Sequence, residues 1–393
     1  MKQRPYRIAV VGFGIAGAAT AYLLARTGHT VTLLERAPLV GPIGAGLLLQ
    51  PAGQAVLGRM GLLERVIAGA APIEELHAVR HGGKDLIRLR YADEPGVHAY
   101  GVHRGAMFSA LADAVRSQPV DVRLGCEICR LATRDDQVLL IDNCGTEHGP
   151  FDFVVVADGS RSLLRSLAGL RCFTMPYHHG ALWVTGPCAA IRNKLYQVCR
   201  GTRQLLGMLP IGGGQCSLYW GVPIRDLATI RGRGIDALKR ELIAFCPEAA
   251  ELLDAVTSFD QLVFTTYRHV WMPRWYTRHV LVIGDAAHAT SPHLGQGGGL
   301  ALLDAWVLSE CINQAPDQNS AFRLYARRRG AHLRYYNWLT FVLSPFFQGD
   351  GRLKAIARNL VLPVMPRVPW LRRQMRMTMC GWKRGWIGGR LSI

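Results

Sequence analysis

Nowhere in its 393 residues does the chain hold an apolar run of the roughly 18 residues that a membrane-spanning helix needs. A bilayer span is therefore not expected. No Ser/His/Asp set is visible and no His/Cys spacing suits a metal, so neither nucleophilic hydrolysis nor a metal centre is expected. The ten cysteines are scattered without framework spacing. The one CxxC, Cys126-Glu-Ile-Cys129, falls in a strand-like run, where positions three apart point to opposite faces. Core thiols in a reducing compartment are the expectation. The first strand starts near Tyr6, which leaves no room for a signal peptide, so a cytoplasmic protein is expected. No repeat and no low-complexity linker appears.

Acids are also scarce, 28 against 46 Lys+Arg, for a net charge of +18. Most of the imbalance is local. From Ala321 to Ile393 there are 15 Lys+Arg and one acid, Asp350, which leaves about +4 on the rest of the chain. The body is nearly balanced, and the basic character belongs to the C-terminal tail. Hydrophobic residues make up 49%, so the chain is globular and long enough for two domains.

Near the N-terminus the pattern is strand, glycine loop, helix, strand, acid. Arg7 to Val11 is apolar without alternation, as a strand buried on both faces would be. Gly12-Phe-Gly14-Ile-Ala16-Gly17 follows, then a helical run from Ala18 to Arg26, and a second strand from His29 to Leu34 that ends at Glu35 and Arg36. Gly12 permits the tight turn, Gly14 lets backbone approach a pyrophosphate, and Gly17 lets the helix pack on the strand. Glu35 stands where a carboxylate accepts hydrogen bonds from an adenosine ribose. A dinucleotide site is expected, and this motif alone leaves NAD and FAD open.

Later segments bear on that choice. Gly44 to Leu63 follows the first unit. Val102 to Leu111 puts Arg104 before an apolar helix. Val154 to Arg165 is a buried strand ending in Asp158-Gly159, then Ser162 and Arg165. Leu281 to Gly299, LVIGDAAHATSPHLGQGGG, is a strand that delivers Asp285 to a glycine-rich loop containing Pro292, His293, Gly295, Gln296, Gly297 and Gly298. With GxGxxG, DGxxSxxR and GDAAHxxxPxxGQG in this order, the chain resembles the class A FAD-dependent monooxygenases, the family of the p-hydroxybenzoate and salicylate hydroxylases. The resemblance spans about residues 5 to 330.

The resemblance implies roles. Gly12, Gly14, Ala16, Gly17, Glu35 and Arg36 would hold the ADP half of FAD, and Arg104 would contact the cofactor. Asp158, Gly159 and Arg165 would belong to the motif the family links to both FAD and NAD(P)H. Asp285 would bond the ribityl chain, and Pro292 with Gly295, Gln296, Gly297 and Gly298 would lie beside the isoalloxazine. A helix from about Leu300 to Ile312 would aim its positive end at the flavin pyrimidine, where the reduced ring is anionic. His288 would be structural. One departure stands out: the family reads GQGxN, and Gly299 occupies the asparagine position.

The implied fold is α/β: a Rossmann-like FAD-binding domain (GR2-type) over 1–73, 98–170 and 271–332, a smaller α+β substrate domain over 74–97 and 171–270, and a helical basic tail over 333–393. From Leu333 the chain is expected to leave the family core. Gly212-Gly-Gly214 reads as a hairpin turn. Candidate pocket residues are His178, His179, Trp183, Tyr219, Trp220 and His293. The implied function is NAD(P)H-dependent hydroxylation of an aromatic, lipophilic substrate by O2 through a C4a-hydroperoxyflavin, with NADH or NADPH docking transiently. Alternatives are a halogenase, whose WxWxIP signature is absent, a polyprenyl reductase, or a non-catalytic FAD or ligand binder. The tail mixes arginine with tryptophan and phenylalanine. It reads either as packed on the FAD domain with its arginines solvated, or as resting on anionic lipid at the inner face of a membrane. Nucleic acid is not an expected partner.

Overall fold

The computed structural model describes residues 4–41, 45–91, 96–386 and 389–391. Gly44, which opens one of the family-like segments, lies outside the described residues.

Five parallel strands form the first sheet, in the order Val280–Val282, Phe153–Val156, Arg7–Val11, Thr30–Glu35 and Val120–Leu124. Ile8 to Val11 and Phe153 to Val156 are buried, as strands covered on both faces must be. The helices Ile15–Arg26, Arg104–Arg116 and Gly297–Gln314 pack together against this sheet through one core. Three of the strands end at the same carboxyl edge, and the three family-like motifs follow them there: the glycine loop after Val11, Asp158 after Val156, Asp285 after Val282. Ligands bind at this edge in open parallel sheets.

The second sheet has seven strands, in the order Val263–Trp271, Phe173–Pro187, Gln215–Pro223, Gln204–Gly212, Lys194–Arg200, Glu75–Arg80 and Asp85–Arg90. All neighbours are antiparallel except Lys194–Arg200 with Glu75–Arg80. Gly212, Gly213 and Gly214 turn one hairpin, all three at positive φ. One face, carrying Leu182, Leu206, Met208, Leu218 and Trp220, is covered by helix Ile235–Phe245 and the short helix Ala250–Asp254.

Two expectations are corrected. Cys126 and Cys129 do not share a strand: Val120–Leu124 stops at Gly125, whose φ of +73 breaks the extended run, and the next strand begins at Ile128. The tail does not begin at 333 as a separate element, because helix Gln318–Phe347 runs unbroken through that position. Apolar and small residues on its buried side, Ala321, Phe322, Tyr325, Gly330, Leu333 and Tyr336, continue one face across the expected boundary. Helices Arg352–Val361 and Pro369–Met379 follow. Met379 and Cys380 then insert among Leu48, Tyr91, Leu209 and Ile211, so the tail is packed against the seven-stranded sheet and strand Gly46–Leu49.

Candidate active site

The glycine loop is built by close backbone approaches. Gly12 has φ +105, and a Cβ there would stand 2.4 Å from the Ala157 carbonyl oxygen. A Cβ on Gly17 would stand 1.8 Å from the Gly12 carbonyl oxygen. These two glycines are required by the fold itself. Gly14 differs: nothing lies within 4 Å of a Cβ built on it, so its backbone faces open space. Gly159 and Gly297, at the same sheet edge, are equally open. The Glu35 carboxylate accepts from Phe13 N at 2.6 Å and from Ala37 N at 2.9 Å, which fixes it beside the loop. Ala16 is buried, and its Cβ stands 2.8 Å from where Gly284 would carry one, so it serves the contact between the two motif turns. Arg36 is exposed. An open backbone cradle with a fixed acid at its rim suits a pyrophosphate and its ribose.

Asp158 follows the buried strand Phe153–Val156. Its Oδ1 is buried without a partner. Burial pushes the carboxyl upward, against the opposing hydrogen bond from Ser162. A buried orphan acceptor marks a position where a ligand donor belongs. Arg165 turns out to be spent internally. It is 5% exposed, and its guanidinium donates to the Ala286 carbonyl at 2.9 Å and the Ser160 carbonyl at 3.0 Å. It ties one motif to the other and does not project into the crevice. Arg104 heads helix Arg104–Arg116 with its side chain exposed, and its backbone N–H donates to the Ala45 carbonyl.

Asp285 is exposed at the end of Val280–Val282. The loop beyond it makes a 3-10 turn at Pro292–Leu294, passes through Gly295 at φ +60 and enters helix Gly297–Gln314. The helix therefore starts three residues earlier than the sequence suggested, with its positive end at the loop. Cβ atoms on Gly295 and Gly298 would touch Leu48 and Leu47, which shows the loop lying along strand Gly46–Leu49. At Gly299 a Cβ would meet only Gly53, at 3.9 Å, so no clash there demands glycine. The Gln296 side chain is buried and donates to the Met379 carbonyl at 2.8 Å and the Thr378 carbonyl at 3.3 Å. Its amide thus clasps the tail.

Behind this loop lies a buried cluster that sequence reasoning missed. Asp304 is fully buried. It accepts from Gly284 N at 2.9 Å, from His288 Nε2 at 2.6 Å and from Arg329 Nε at 2.8 Å. Arg329 also donates to His332 Nδ1 at 2.8 Å, and His332 Nε2 donates to the Gly381 carbonyl at 3.0 Å. Burial opposes the charge on Asp304, yet His288 and Arg329 hold its carboxyl below the ordinary range. Burial, then the Arg329 charge, pushes His332 down to about 3, so it is neutral near pH 7. The chain of contacts runs from the turn before Asp285, through the helix core, to the C-terminal loop. The available signal was a lone aspartate amid apolar residues in LALLDAWVL, where an ionised side chain requires a partner.

The pocket candidates separate sharply. Tyr219 and Trp220 are adjacent in one strand, so they face opposite sides. Trp220 lies in the helix-covered core, its ring centroid 5.0 Å from that of Phe245, on the face opposite Tyr219. Tyr219 is on the other face, 5.3 Å from Trp183, with its ring over Gly207. That face meets Phe347, whose ring lies 5.9 Å from His293 of the loop. The face carrying Trp183 and Tyr219 therefore looks toward the flavin-side motifs. His178 and His179 are split by a register shift between Pro176 and Gly180. His178 is exposed, while His179 is buried with Nε2 unpartnered. Tyr267, also unnoticed in the sequence, has a buried hydroxyl without a partner. Burial, then proximity to His179, pushes His293 down to about 4.

A sequence profile of the FAD binding domain family matches residues 6–331. The chain belongs to the class A FAD-dependent aromatic monooxygenases. This monooxygenase is 28% identical to a probable 2-heptyl-3-hydroxy-4(1H)-quinolone synthase of Rhodococcus erythropolis, over 81% of this chain and 82% of that protein. It is 26% identical to the 3-amino-4-hydroxybenzoate 2-monooxygenase of Streptomyces cremeus, over 100% and 97%. In fold it is similar to Klebsiella pneumoniae HpxO, solved with FAD and uric acid, with a TM-score of 0.83, 20% identity, and coverage of 96% of this chain and 97% of that one. The family profile stops at residue 331, next to the expected end of the family core at Leu333, while the last two matches continue into the tail. The halogenase, polyprenyl reductase and non-catalytic readings find no support among these relatives. The open glycines and the orphaned Asp158 oxygen fit FAD, the cofactor of the family.

Proposed function

We propose that the monooxygenase hydroxylates an apolar aromatic ring at the expense of O2 and NAD(P)H, in a cytoplasmic setting. The observation that carries the substrate class is the aromatic face of Trp183 and Tyr219, turned toward the loop that bears His293. Trp183 is held by its indole N–H on Thr265 Oγ1 at 2.7 Å, and Tyr219 by Gln197 at 2.9 Å. Rings fixed in this way offer a flat apolar wall at low entropic cost. The unpartnered His179 Nε2 and Tyr267 hydroxyl supply hydrogen-bonding groups for a ring substituent.

Bound FAD supplies the redox chemistry, taking a hydride from the nicotinamide and activating O2 for transfer of one oxygen atom. The protein's share is binding and exclusion of water. Gly12, Gly14, Gly17 and Glu35 would hold the ADP half, Asp285 the ribityl chain, and the 295–298 loop the ring. Helix Gly297–Gln314 would place its positive end where the ring gains negative charge. A single dinucleotide fingerprint leaves the nicotinamide as a visiting co-substrate.

The test is NADH and NADPH oxidation by the FAD-loaded protein against a panel of phenols, quinolones and lipophilic resorcinols. A substrate should accelerate oxidation, lower hydrogen peroxide release and yield a product heavier by one oxygen atom. If neither nicotinamide reduces the flavin with any panel member, while an added reductase does, the single-component reading is wrong.

A further inference from the structure

Helix Arg352–Val361 is packed inside out. Its inner side buries Arg358 at 2% exposure and Ala355 at 9%. Arg358 Nη1 donates to the Phe346 carbonyl at 2.9 Å, and the guanidinium lies 5.4 Å from the Phe347 ring centroid. The outer side carries Leu353, Ile356 and Leu360, 81%, 54% and 66% exposed. Their spacing of three and four residues places all three on one face. An amphipathic helix that only covered the body would turn these residues inward and leave the arginine in water. The exposed strip includes Val361 at the helix end and continues beyond it through Val364 and Trp370.

Its surroundings define what can cover it. Arg352, Lys354, Arg367, Arg372 and Arg373 are exposed beside the strip. The one acid of the tail, Asp350, is already engaged by Arg203 at 2.5 Å. A second copy docking through this face would set basic rim against basic rim. Nucleic acid would answer the charge but not the aliphatic side chains, which offer bases nothing to stack on. An aliphatic strip with a basic rim matches an anionic lipid surface, where apolar groups enter the acyl boundary and cations meet the headgroups. No helix among the described residues is long and apolar enough to cross a membrane, so such contact is peripheral.

We propose that residues 352–373 form a lipid-contact face that seats the protein on anionic membrane. The proposal does not depend on the chemistry of the active site, and its test uses no substrate. The FAD-loaded full chain is sedimented with phosphatidylcholine vesicles, with and without phosphatidylglycerol. Binding should appear only with the anionic lipid and weaken as salt rises. The triple variant L353S/I356S/L360S should keep its Tm and bound flavin, yet bind on the order of a hundredfold more weakly. Brominated acyl chains should quench part of the wild-type tryptophan emission, and that part should vanish in Trp370→Phe. The proposal is overturned if the wild type stays in the supernatant with anionic vesicles at low salt, or if the triple variant binds as the wild type does. It is equally overturned if the wild type is a dimer without lipid that the triple substitution converts to monomer, because the face then belongs to a second copy.

Discussion

Asp304→Asn tests how far the buried cluster supports the cofactor loop. Asp304 and Arg329 both have fully buried side chains, and Asn preserves the volume while removing the negative charge. The Arg329 guanidinium is then left buried with its charge uncompensated. Removing one partner of a buried pair costs about 3–5 kcal/mol. With an unfolding entropy of about 2.1 cal/mol/K per residue, 393 residues give about 0.8 kcal/mol/K, so the expected fall in Tm is roughly 5 °C. The same substitution loosens Gly284 and His288, which Asp304 holds from behind. Bound FAD should therefore dissociate more readily. Since the Asp304 carboxyl is held below its unfolded value, its contribution is present above about pH 3.9 and is lost only as pH falls through the folded value. The penalty should accordingly be flat between about pH 6 and 8. Thermal melts with and without added FAD, read by circular dichroism and flavin fluorescence, give both quantities. The double variant Asp304→Asn/Arg329→Met removes both charges and should melt above Asp304→Asn alone. If the single variant melts within about 1 °C of wild type and keeps its flavin, the cluster neither stabilises the fold nor supports the loop.

The loop glycines should part company under substitution. Gly17→Ala drives a Cβ into the Gly12 carbonyl and should destabilise the apoprotein by about 1–3 kcal/mol or more, whereas Gly14→Ala, which meets only open space, should leave apoprotein stability near wild type and weaken FAD binding. Equal effects on apoprotein melting would contradict the assigned roles. Acid sensitivity should come from neutral buried histidines: burial pushes His269 and His293 down to about 4, and His332 lower still. Unfolded histidines take up protons near pH 6.5, so this stability is complete above about pH 6.5 and declines as pH falls toward 4. Urea titrations from pH 7.5 to about 5 should show that decline, and His332→Gln should make it shallower.

Local patterns were enough to read a dinucleotide site, though not which dinucleotide fills it. A buried strand, a glycine turn and a terminal acid are contiguous in sequence, and their geometry is dictated by backbone sterics over a few residues. The parallel sheet and its carboxyl edge, bearing Gly14, Asp158 and Asp285, were legible for that reason. The Gly212–Gly214 hairpin was legible because positive φ leaves glycine as the natural choice. Which face a side chain takes was a different matter. Period-two alternation could have separated Tyr219 from Trp220, but only the packing of helix Ile235–Phe245 decided which of the two went into the core. The register shift that exposes His178 and buries His179 depends on pairing with Val263–Trp271, more than 80 residues away. Arg165 and Gln296 carried motif identities yet spend their side chains on distant carbonyls, Ala286 for one and Thr378 and Met379 for the other. The tail shows the contrast most clearly. Its composition marked it as basic and aromatic, and left open whether it packs on the FAD domain with its arginines in water or rests on lipid. Arg358 is buried against Phe346 and Phe347 while Leu353, Ile356 and Leu360 face out, because the tertiary packing at the end of helix Gln318–Phe347 offers a carbonyl and a ring to a cation.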